Sequence, residues 1–255
     1  MSSLAFDVHG SGPRLVALHG FTQDASHWDT LAPWLGKGRE LVTVDLPGHG
    51  RSSEVELDLE GTAHEILALA GGEPIDLLGY SLGARTALVA ALADPSRIRR
   101  LILISGTAGI EDPAERSQRR SADEALAAEL EETRDVEGFL RRWLSQPMFE
   151  RLGGAAHLDS RLANSPEGLA RSLRLMGTGT MEPRWGVLGD LEVPTLVLAG
   201  TKDTKFAGLA QRLNAQLAAS AFSLIPGANH ACHLECPDRV GTTIASWLAG
   251  TELSD

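Results

Sequence analysis

Cysteines, aromatic residues and long apolar runs are all scarce in this sequence of 255 residues. The only two cysteines, Cys232 and Cys236, make no disulfide framework and predict a reduced, cytoplasmic protein. The longest purely apolar run, residues 87–93, is far too short to cross a bilayer, so no membrane insertion is expected. The opening MSSLAFDVHG has no basic start followed by an apolar core, which predicts that no signal peptide is present.

Positive charge is also in short supply. Lys and Arg number 23 against 34 Asp and Glu, giving a formal net charge of −11. This balance argues against a nucleic-acid partner or an anionic membrane surface. Any anionic ligand must therefore be met by locally gathered arginines. The length and a hydrophobic content of 43% fit one large globular domain, which is expected to be a monomer or a weak homo-oligomer.

Apolar runs of strand length alternate with helical patterns, which predicts an α/β fold with a mostly parallel sheet flanked by helices. Strands are predicted at residues 14–18, 40–45, 75–79, 101–105, 195–200 and 222–226, with a short hairpin strand at 4–9. Helices are predicted at residues 28–35, 57–70, 82–93, 206–217 and 240–249.

The alternation stops between residues 106 and 188. This stretch has no strand pattern and instead carries charged, alanine-rich helical segments at 114–132, 136–145 and 166–175. Long insertions between core strands often cover active sites, so we expect a helical lid at 106–188 and a core domain at 1–105 and 189–255. The alternative is an ordinary run of surface helices.

One short stretch, LLGYSLGART, places Ser81 between Gly79 and Gly83 after a predicted strand and before a predicted helix. Glycines two positions either side of a serine let the chain turn sharply and project the hydroxyl into a cleft. This pattern predicts a nucleophile elbow. A chance Gly-x-Ser-x-Gly in a loop is the alternative.

An elbow serine needs a base and a group that orients the base. His230 follows the last predicted strand and is the candidate base, whereas His233 is expected to pack or to cap a helix. A His-x-x-His metal pair has no visible third ligand, so no metal and no cofactor are predicted. Asp203 follows the preceding strand and is the candidate acid, with helix capping as its alternative role.

Charge that develops on a substrate oxygen requires an oxyanion hole. The backbone N–H of Leu82, directly after the serine, is one candidate donor. The backbone N–H of Phe21, in the loop LHGFTQD after an early strand, is the other.

The motifs HGF, DLPGHGRS, GYSLG, GTKD and NH resemble, in this order, those of the α/β-hydrolase superfamily. More narrowly, GYSLGAR, ERSQRRSADEALA, WLSQPMF, SRLANSPEGLA and GTKDTKF resemble stretches of the 2-succinyl-6-hydroxy-2,4-cyclohexadiene-1-carboxylate synthases of menaquinone biosynthesis. Ala84 stands where those relatives have glycine, a small change that a helix tolerates.

The narrower resemblance implies a lyase that eliminates pyruvate from a polycarboxylate, with Ser81 acting as the base. It also implies substrate-binding roles for Arg85, Arg119, Arg161 and Trp143, while Tyr80 is expected in the pocket wall. Each arginine has an alternative: a buried ion pair for Arg85, a salt-bridged helix charge for Arg119 and a surface position for Arg161.

Two other functions use the same residues. A hydrolase of small esters or carbon–carbon bonds would employ the same triad with water. A catalytically idle ligand-binding protein is a third possibility, although all three triad positions are filled. The product separates the first two: pyruvate without incorporation of water, or an acid with its alcohol or ketone.

Overall fold

The computed structural model describes residues 4–250, in which seven strands form a single sheet in the order β1-β3-β2-β4-β5-β6-β7. The strands are β1 Phe6–Gly10, β2 Arg14–Leu18, β3 Glu40–Val44, β4 Ile75–Tyr80, β5 Ile98–Ile104, β6 Thr195–Gly200 and β7 Ser220–Ile225. Every neighbouring pair is parallel except β1 and β3, which run antiparallel. The expected mostly parallel α/β sheet is therefore confirmed.

Two details of the predicted strands are wrong. The strand predicted at 4–9 does not form a hairpin with β2, because β3 and β4 occupy both edges of β2 and leave β1 to pair with β3. β5 begins at Ile98, three residues before the predicted start. The charged Arg99 interrupts the apolar pattern at the start of β5, so the sequence did not indicate a strand there. In the fold, the Arg99 side chain forms an ion pair with the buried Asp76.

Helices cover both faces of the sheet and fill the long insertion. Those that follow the strands of the core are α1 Ala32–Leu35, α2 Leu59–Ala68, α3 Leu82–Ala93, α8 Thr204–Gln216, α9 Cys232–Glu235 and α10 Pro237–Leu248. Those between β5 and β6 are α4 Pro113–Thr133, α5 Val136–Leu144, α6 Leu158–Leu162 and α7 Pro166–Met176. No helix among residues 4–250 is long and apolar enough to span a membrane.

The helix predicted at 28–35 is wrong in extent. The chain forms a 3₁₀ turn at Ala25–Trp28 and then the single turn of α1. Pro33 explains the break, since proline has no N–H to donate and is tolerated only in the first turn of a helix.

The core lies in two layers, one on each face of the sheet. Alternate residues of β2 point to opposite faces, so Val16 and Leu18 join the layer under α2, α3 and α8, whereas Leu15 and Ala17 join the layer under α1 and α10. Helices α4, α5 and α7 enclose a third apolar cluster of their own. Both central layers end at the carboxyl edge of the strands, where the candidate site lies.

Candidate active site

Ser81 lies at the sharp turn between β4 and α3, with φ 52° and ψ −104°. The turn leaves no room for side chains on either flank. A Cβ at Gly79 would lie 2.1 Å from the carbonyl oxygen of Gly83, and a Cβ at Gly83 would lie 2.1 Å from that of Leu18. Both glycines are therefore required by contacts with backbone, and the elbow holds the Ser81 hydroxyl at the edge of the sheet.

Three side chains that follow the ends of β4, β6 and β7 are joined by hydrogen bonds. Ser81 Oγ–H donates to Nε2 of His230 at 3.0 Å, and His230 Nδ1–H donates to Oδ2 of Asp203 at 2.8 Å. Asp203 also caps α8, because its Oδ1 accepts the backbone N–H of Phe206 at 3.1 Å. Helix capping was the alternative to a triad role for Asp203. The carboxylate makes both contacts, one with each of its oxygens.

Burial sets the protonation of this relay. His230 is 2% exposed. Its burial lowers its pKa more than the Asp203 carboxylate raises it. Burial raises the pKa of Asp203, but the hydrogen bonds from His230 and from the Phe206 N–H, together with nearby positive charge such as that of Lys205, leave that pKa below its ordinary value. At neutral pH the pair is therefore a carboxylate beside a neutral imidazole, whose Nε2 accepts a proton from Ser81.

His233 lies apart from the relay and is fully buried. Its ring packs against Trp28 and Tyr80, with centroids 5.2 and 4.1 Å away. Within residues 4–250 neither of its ring nitrogens has a hydrogen-bond partner, and no group of three His, Cys, Asp or Glu side chains could hold a metal ion. The structure thus places His233 in a packing position.

The loop that carries Phe21 is held by hydrogen bonds on both sides of this residue. Gly20 N–H donates to Oε1 of Gln23 at 3.0 Å, and Thr22 N–H donates to Nε2 of His49 at 3.2 Å. Among the hydrogen bonds of the described chain, none is donated by the backbone N–H of Phe21 or of Leu82. Both groups remain available to an oxyanion, as an oxyanion hole requires.

A cavity of about 870 Å³ opens beside Ser81 and runs beneath the helices of the insertion. All the residues predicted from the sequence to form the site line it, namely Phe21, Tyr80, Ser81, Leu82, Arg85, Arg119, Trp143, Arg161, Asp203 and His230.

The arginines differ in how their charge is balanced. Arg85 is buried and donates to the carbonyl oxygen of Met176 at 2.7 Å. Arg161 is also buried and donates to the carbonyl of Ala156 at 2.6 Å and to the hydroxyl of Thr22. Neither forms an ion pair with a carboxylate in the described chain, so the ion-pair interpretation of Arg85 and the surface interpretation of Arg161 are wrong.

No carboxylate of the described chain lies within ion-pair distance of either guanidinium, and Asp123 and Asp24 act on Arg85 and Arg161 only from farther away. Burial lowers the pKa of Arg85 to about 9 and that of Arg161 to about 10, so both remain charged at neutral pH. A buried charge is costly unless a partner compensates it. Arg119 differs, because it is half-exposed and pairs with Asp123 at 2.9 Å. An anionic group of a ligand beside Arg85 or Arg161 would compensate this buried charge.

Aromatic side chains line the cavity beside the triad. The indole of Trp143 lies 5.1 Å from the Phe21 ring and 6.1 Å from the Phe149 ring, centroid to centroid. Phe206 lies 4.2 Å from the imidazole of His230. Sequence reasoning did not assign Phe149 or Phe206 to the site, although they end the quoted stretches WLSQPMF and GTKDTKF. It also missed Gln23, which lines the cavity. Gln23 lies in the same loop after β2 as Phe21, and this position could have indicated it.

The comparison with protein families identifies the class. A model described as an alpha/beta hydrolase family matches residues 15–242. A thermophilic esterase from Thermogutta terrifontis, solved with malate bound, superposes with a TM-score of 0.79 at 27% identity, covering 97% of this chain and 93% of that one. Fold and relatives together define an alpha/beta hydrolase.

Other similar proteins are more specific. A 2-succinyl-6-hydroxy-2,4-cyclohexadiene-1-carboxylate synthase of Klebsiella pneumoniae is 32% identical over 260 residues, covering 97% of this chain and 98% of the relative. The structure of MenH from S. aureus superposes with a TM-score of 0.90 at 31% identity, covering 96% of this chain and 98% of that one. The chain belongs to the family of these synthases within the alpha/beta hydrolases.

Proposed function

We propose that this protein is a lyase that eliminates pyruvate from 2-succinyl-5-enolpyruvyl-6-hydroxy-3-cyclohexene-1-carboxylate. The product is 2-succinyl-6-hydroxy-2,4-cyclohexadiene-1-carboxylate, an intermediate of menaquinone biosynthesis. The observation that carries the proposal is the union, in one cavity, of a hydrogen-bonded Ser–His–Asp relay with two buried arginines that lack carboxylate partners. A polycarboxylate substrate supplies the missing negative charge.

The relay acts here as a base and forms no acyl-enzyme. His230 Nε2 takes the proton of Ser81, and the Ser81 oxygen removes a carbon-bound proton from the substrate ring. The electron pair of that C–H bond forms the new ring double bond, the bond between the ring carbon and the enolpyruvyl oxygen breaks, and the oxygen leaves with its electron pair. His230 returns its proton to the leaving group, which becomes pyruvate.

The remaining residues bind the substrate and stabilise charge. The N–H groups of Phe21 and Leu82 stabilise the oxyanion that forms at a substrate carboxylate as the ring proton is removed. The guanidinium groups of Arg85, Arg161 and Arg119 hold the substrate carboxylates by charge-assisted hydrogen bonds. Tyr80 and Trp143 form apolar walls around the ring. No cofactor takes part in this scheme.

The insertion serves as the lid of this site. In this arrangement residues 1–105 and 189–255 form the catalytic core domain and residues 106–188 cover the cavity, to which the insertion contributes Arg119, Trp143 and Arg161. We place the enzyme in the cytoplasm as a monomer or weak homo-oligomer that acts on a small anionic substrate. Its two free cysteines fit a reduced compartment.

The test is release of pyruvate from the enolpyruvyl substrate, followed with a lactate dehydrogenase coupled assay. Wild-type protein should release pyruvate, and Ser81→Ala or His230→Ala should lower kcat/KM by about a thousandfold or more. The double variant should lose little beyond either single one, because the two residues act as a unit. His233→Phe is the matched histidine control and should retain activity.

Two results would reject the lyase. One is hydrolysis of a small ester or ketone with an oxygen of labelled water in the product, without pyruvate release, which would identify a hydrolase. The other is binding of the substrate with no turnover of either kind, which would identify a ligand-binding protein. Loss of activity in His233→Phe with retention in His230→Ala would reject the assignment of the base.

A further inference from the structure

Thr22, directly after the proposed oxyanion donor Phe21, has a backbone conformation that suits its residue type poorly. Its φ is 68°, in the left-handed region, and the residue is fully buried. For a β-branched side chain this conformation is a genuine outlier. Such strain persists only where the surroundings impose it, and it concentrates at functional sites.

All three polar groups of Thr22 are engaged by different parts of the molecule. Its N–H donates to Nε2 of His49 at 3.2 Å, and its carbonyl accepts from Nδ2 of Asn164 at 3.0 Å. Its hydroxyl accepts from the guanidinium of Arg161. His49 belongs to the core loop after β3, whereas Asn164 and Arg161 belong to the insertion. Core and insertion therefore hold this residue jointly.

The two uncharged partners are themselves fixed. His49 Nδ1–H donates to the carbonyl of Pro47 at 3.0 Å, which leaves Nε2 as the acceptor for Thr22. Asn164 is 4% exposed, and its Oδ1 accepts the backbone N–H of Gly50 at 2.9 Å. Burial lowers the pKa of His49 to about 3, so the acceptor stays unprotonated at neutral pH.

Thr22 determines the direction of the Phe21 N–H through the turn that contains both residues. Gln23 N–H donates to the carbonyl of Gly20 at 3.1 Å, which makes Thr22 the third residue of a four-residue turn. A positive φ at this position is a requirement of particular turn types and is normally met by glycine or asparagine. The Gly20 carbonyl and the Phe21 N–H share one planar trans peptide, so a closed turn fixes the direction of that N–H.

We propose that Asn164 and His49 are positioning residues that act through Thr22: they hold it in the left-handed conformation and thereby aim the Phe21 N–H at the oxygen that becomes charged. This inference rests on the proposed oxyanion role of Phe21. It gives the insertion a second task beyond covering the cavity, because an insertion side chain shapes the oxyanion hole without touching the substrate.

The experiment measures transition-state and ground-state binding separately. Asn164→Ala removes the donor to the Thr22 carbonyl, and His49→Phe removes the acceptor for the Thr22 N–H while keeping a ring. His49→Gln restores an acceptor oxygen. The matched control is Asn214→Ala, which removes an asparagine bonded to Ser220 outside the cavity lining. Each protein is assayed for kcat and KM of pyruvate release and for the Kd of phenylboronic acid, whose tetrahedral adduct on Ser81 places an oxygen in the hole.

Asn164→Ala and His49→Phe should lower kcat and weaken phenylboronic acid binding by about ten- to a hundredfold, with KM within about twofold, since misaimed donors cost transition-state stabilisation. His49→Gln and Asn214→Ala should stay within about threefold of wild type. Unchanged kcat and unchanged boronate affinity in folded Asn164→Ala and His49→Phe would overturn the proposal. So would a loss in His49→Gln equal to that in His49→Phe, because it would point to ring packing instead.

Thr22→Gly provides a second test that survives if one of these variants fails to fold. Glycine adopts positive φ without strain, so the Asn164→Ala change should cost less in a Thr22→Gly background than in wild type. An undiminished cost would overturn the proposal. Boronate binding needs no pyruvate chemistry, so wild-type protein that binds phenylboronic acid but releases no pyruvate would reject the proposed reaction alone.

Discussion

Arg85 lies one helical turn beyond Ser81 on α3, and this spacing puts both residues on one face of the helix. The only hydrogen-bond acceptor of its guanidinium in the described chain is the carbonyl of Met176, and no carboxylate there lies within ion-pair distance of it. A hydrolase that acts on neutral esters has no use for such a charge. At the scale of single residues, Arg85 is therefore the position that best separates the two chemistries.

Arg85→Ala should lower kcat/KM for pyruvate release about ten- to a hundredfold, because a hydrogen bond to a charged group contributes about 1.5–3 kcal/mol. Arg85→Lys should restore part of the loss, since lysine keeps the charge and loses the planar fork. Steady-state kinetics of both variants check this. Arg97→Ala is the control, because Arg97 also donates to backbone carbonyls but lies outside the cavity lining. Intact pyruvate release in a destabilised Arg85→Ala protein would make Arg85 a structural residue.

The three main helices of the insertion were predicted closely because each starts with a local signal. Asp112, Asp135 and Ser165 each accept a backbone N–H three residues further on, which caps α4, α5 and α7. Capping depends on neighbouring residues alone, so it can be read from sequence. The position of the insertion on the core depends on contacts between residues far apart in the chain, so it could not be predicted from the sequence.

At the scale of this element, Trp143 on α5 reports whether the cavity is occupied. Its ring contacts Phe21, and its indole N–H is buried with no partner in the described residues. Titration with succinate, a small dicarboxylate, should change the tryptophan emission, and Trp143→Phe should remove most of that change. Trp247→Phe, on α10 outside the cavity lining, should preserve it. An equal response in Trp143→Phe and wild type would remove Trp143 from the site.

At the scale of the whole molecule, five histidines of the described chain have lowered pKa values. Burial is the first cause of each shift, and the group comprises His19, His27, His49, His230 and His233. A histidine whose folded pKa lies below its unfolded value of about 6.5 stabilises the fold above that pH and loses its contribution as the pH falls. His27 has a pKa lowered to about 4, so on this basis it contributes about 3 kcal/mol to the free energy of unfolding at neutral pH relative to acid pH.

Stability to urea should therefore fall steadily from pH 6.5 towards pH 4, at about 1.4 kcal/mol per pH unit for each histidine that stays neutral in the fold. His233→Phe should reduce this slope by about 1.4 kcal/mol per pH unit, the contribution of one proton. The fully buried His233 ring has no hydrogen-bond partner in the described chain and therefore stays neutral in the fold. Unfolding free energies at four pH values measure both slopes. Constant stability of the wild type across this range, or an identical slope in His233→Phe, would contradict the prediction.

The sequence by itself determined the order of elements, the elbow at Ser81 and the candidates Asp203 and His230. These depend on short-range rules: alternation of apolar runs, glycines that a tight turn needs, and positions after strand ends. The α/β fold predicted in this way is confirmed, whereas the catalytic roles stay predictions that the observed hydrogen bonds support.

Only the tertiary structure decided which strand pairs with β1, which arginines lack an ion-pair partner in the described chain, and which residues hold Thr22. Each of these depends on residues that are far apart in the chain, such as Asn164 and Gly50, separated by 114 positions. Local patterns carry no record of such contacts, because they arise only when the sheet brings its loops to one edge and the insertion folds back over them.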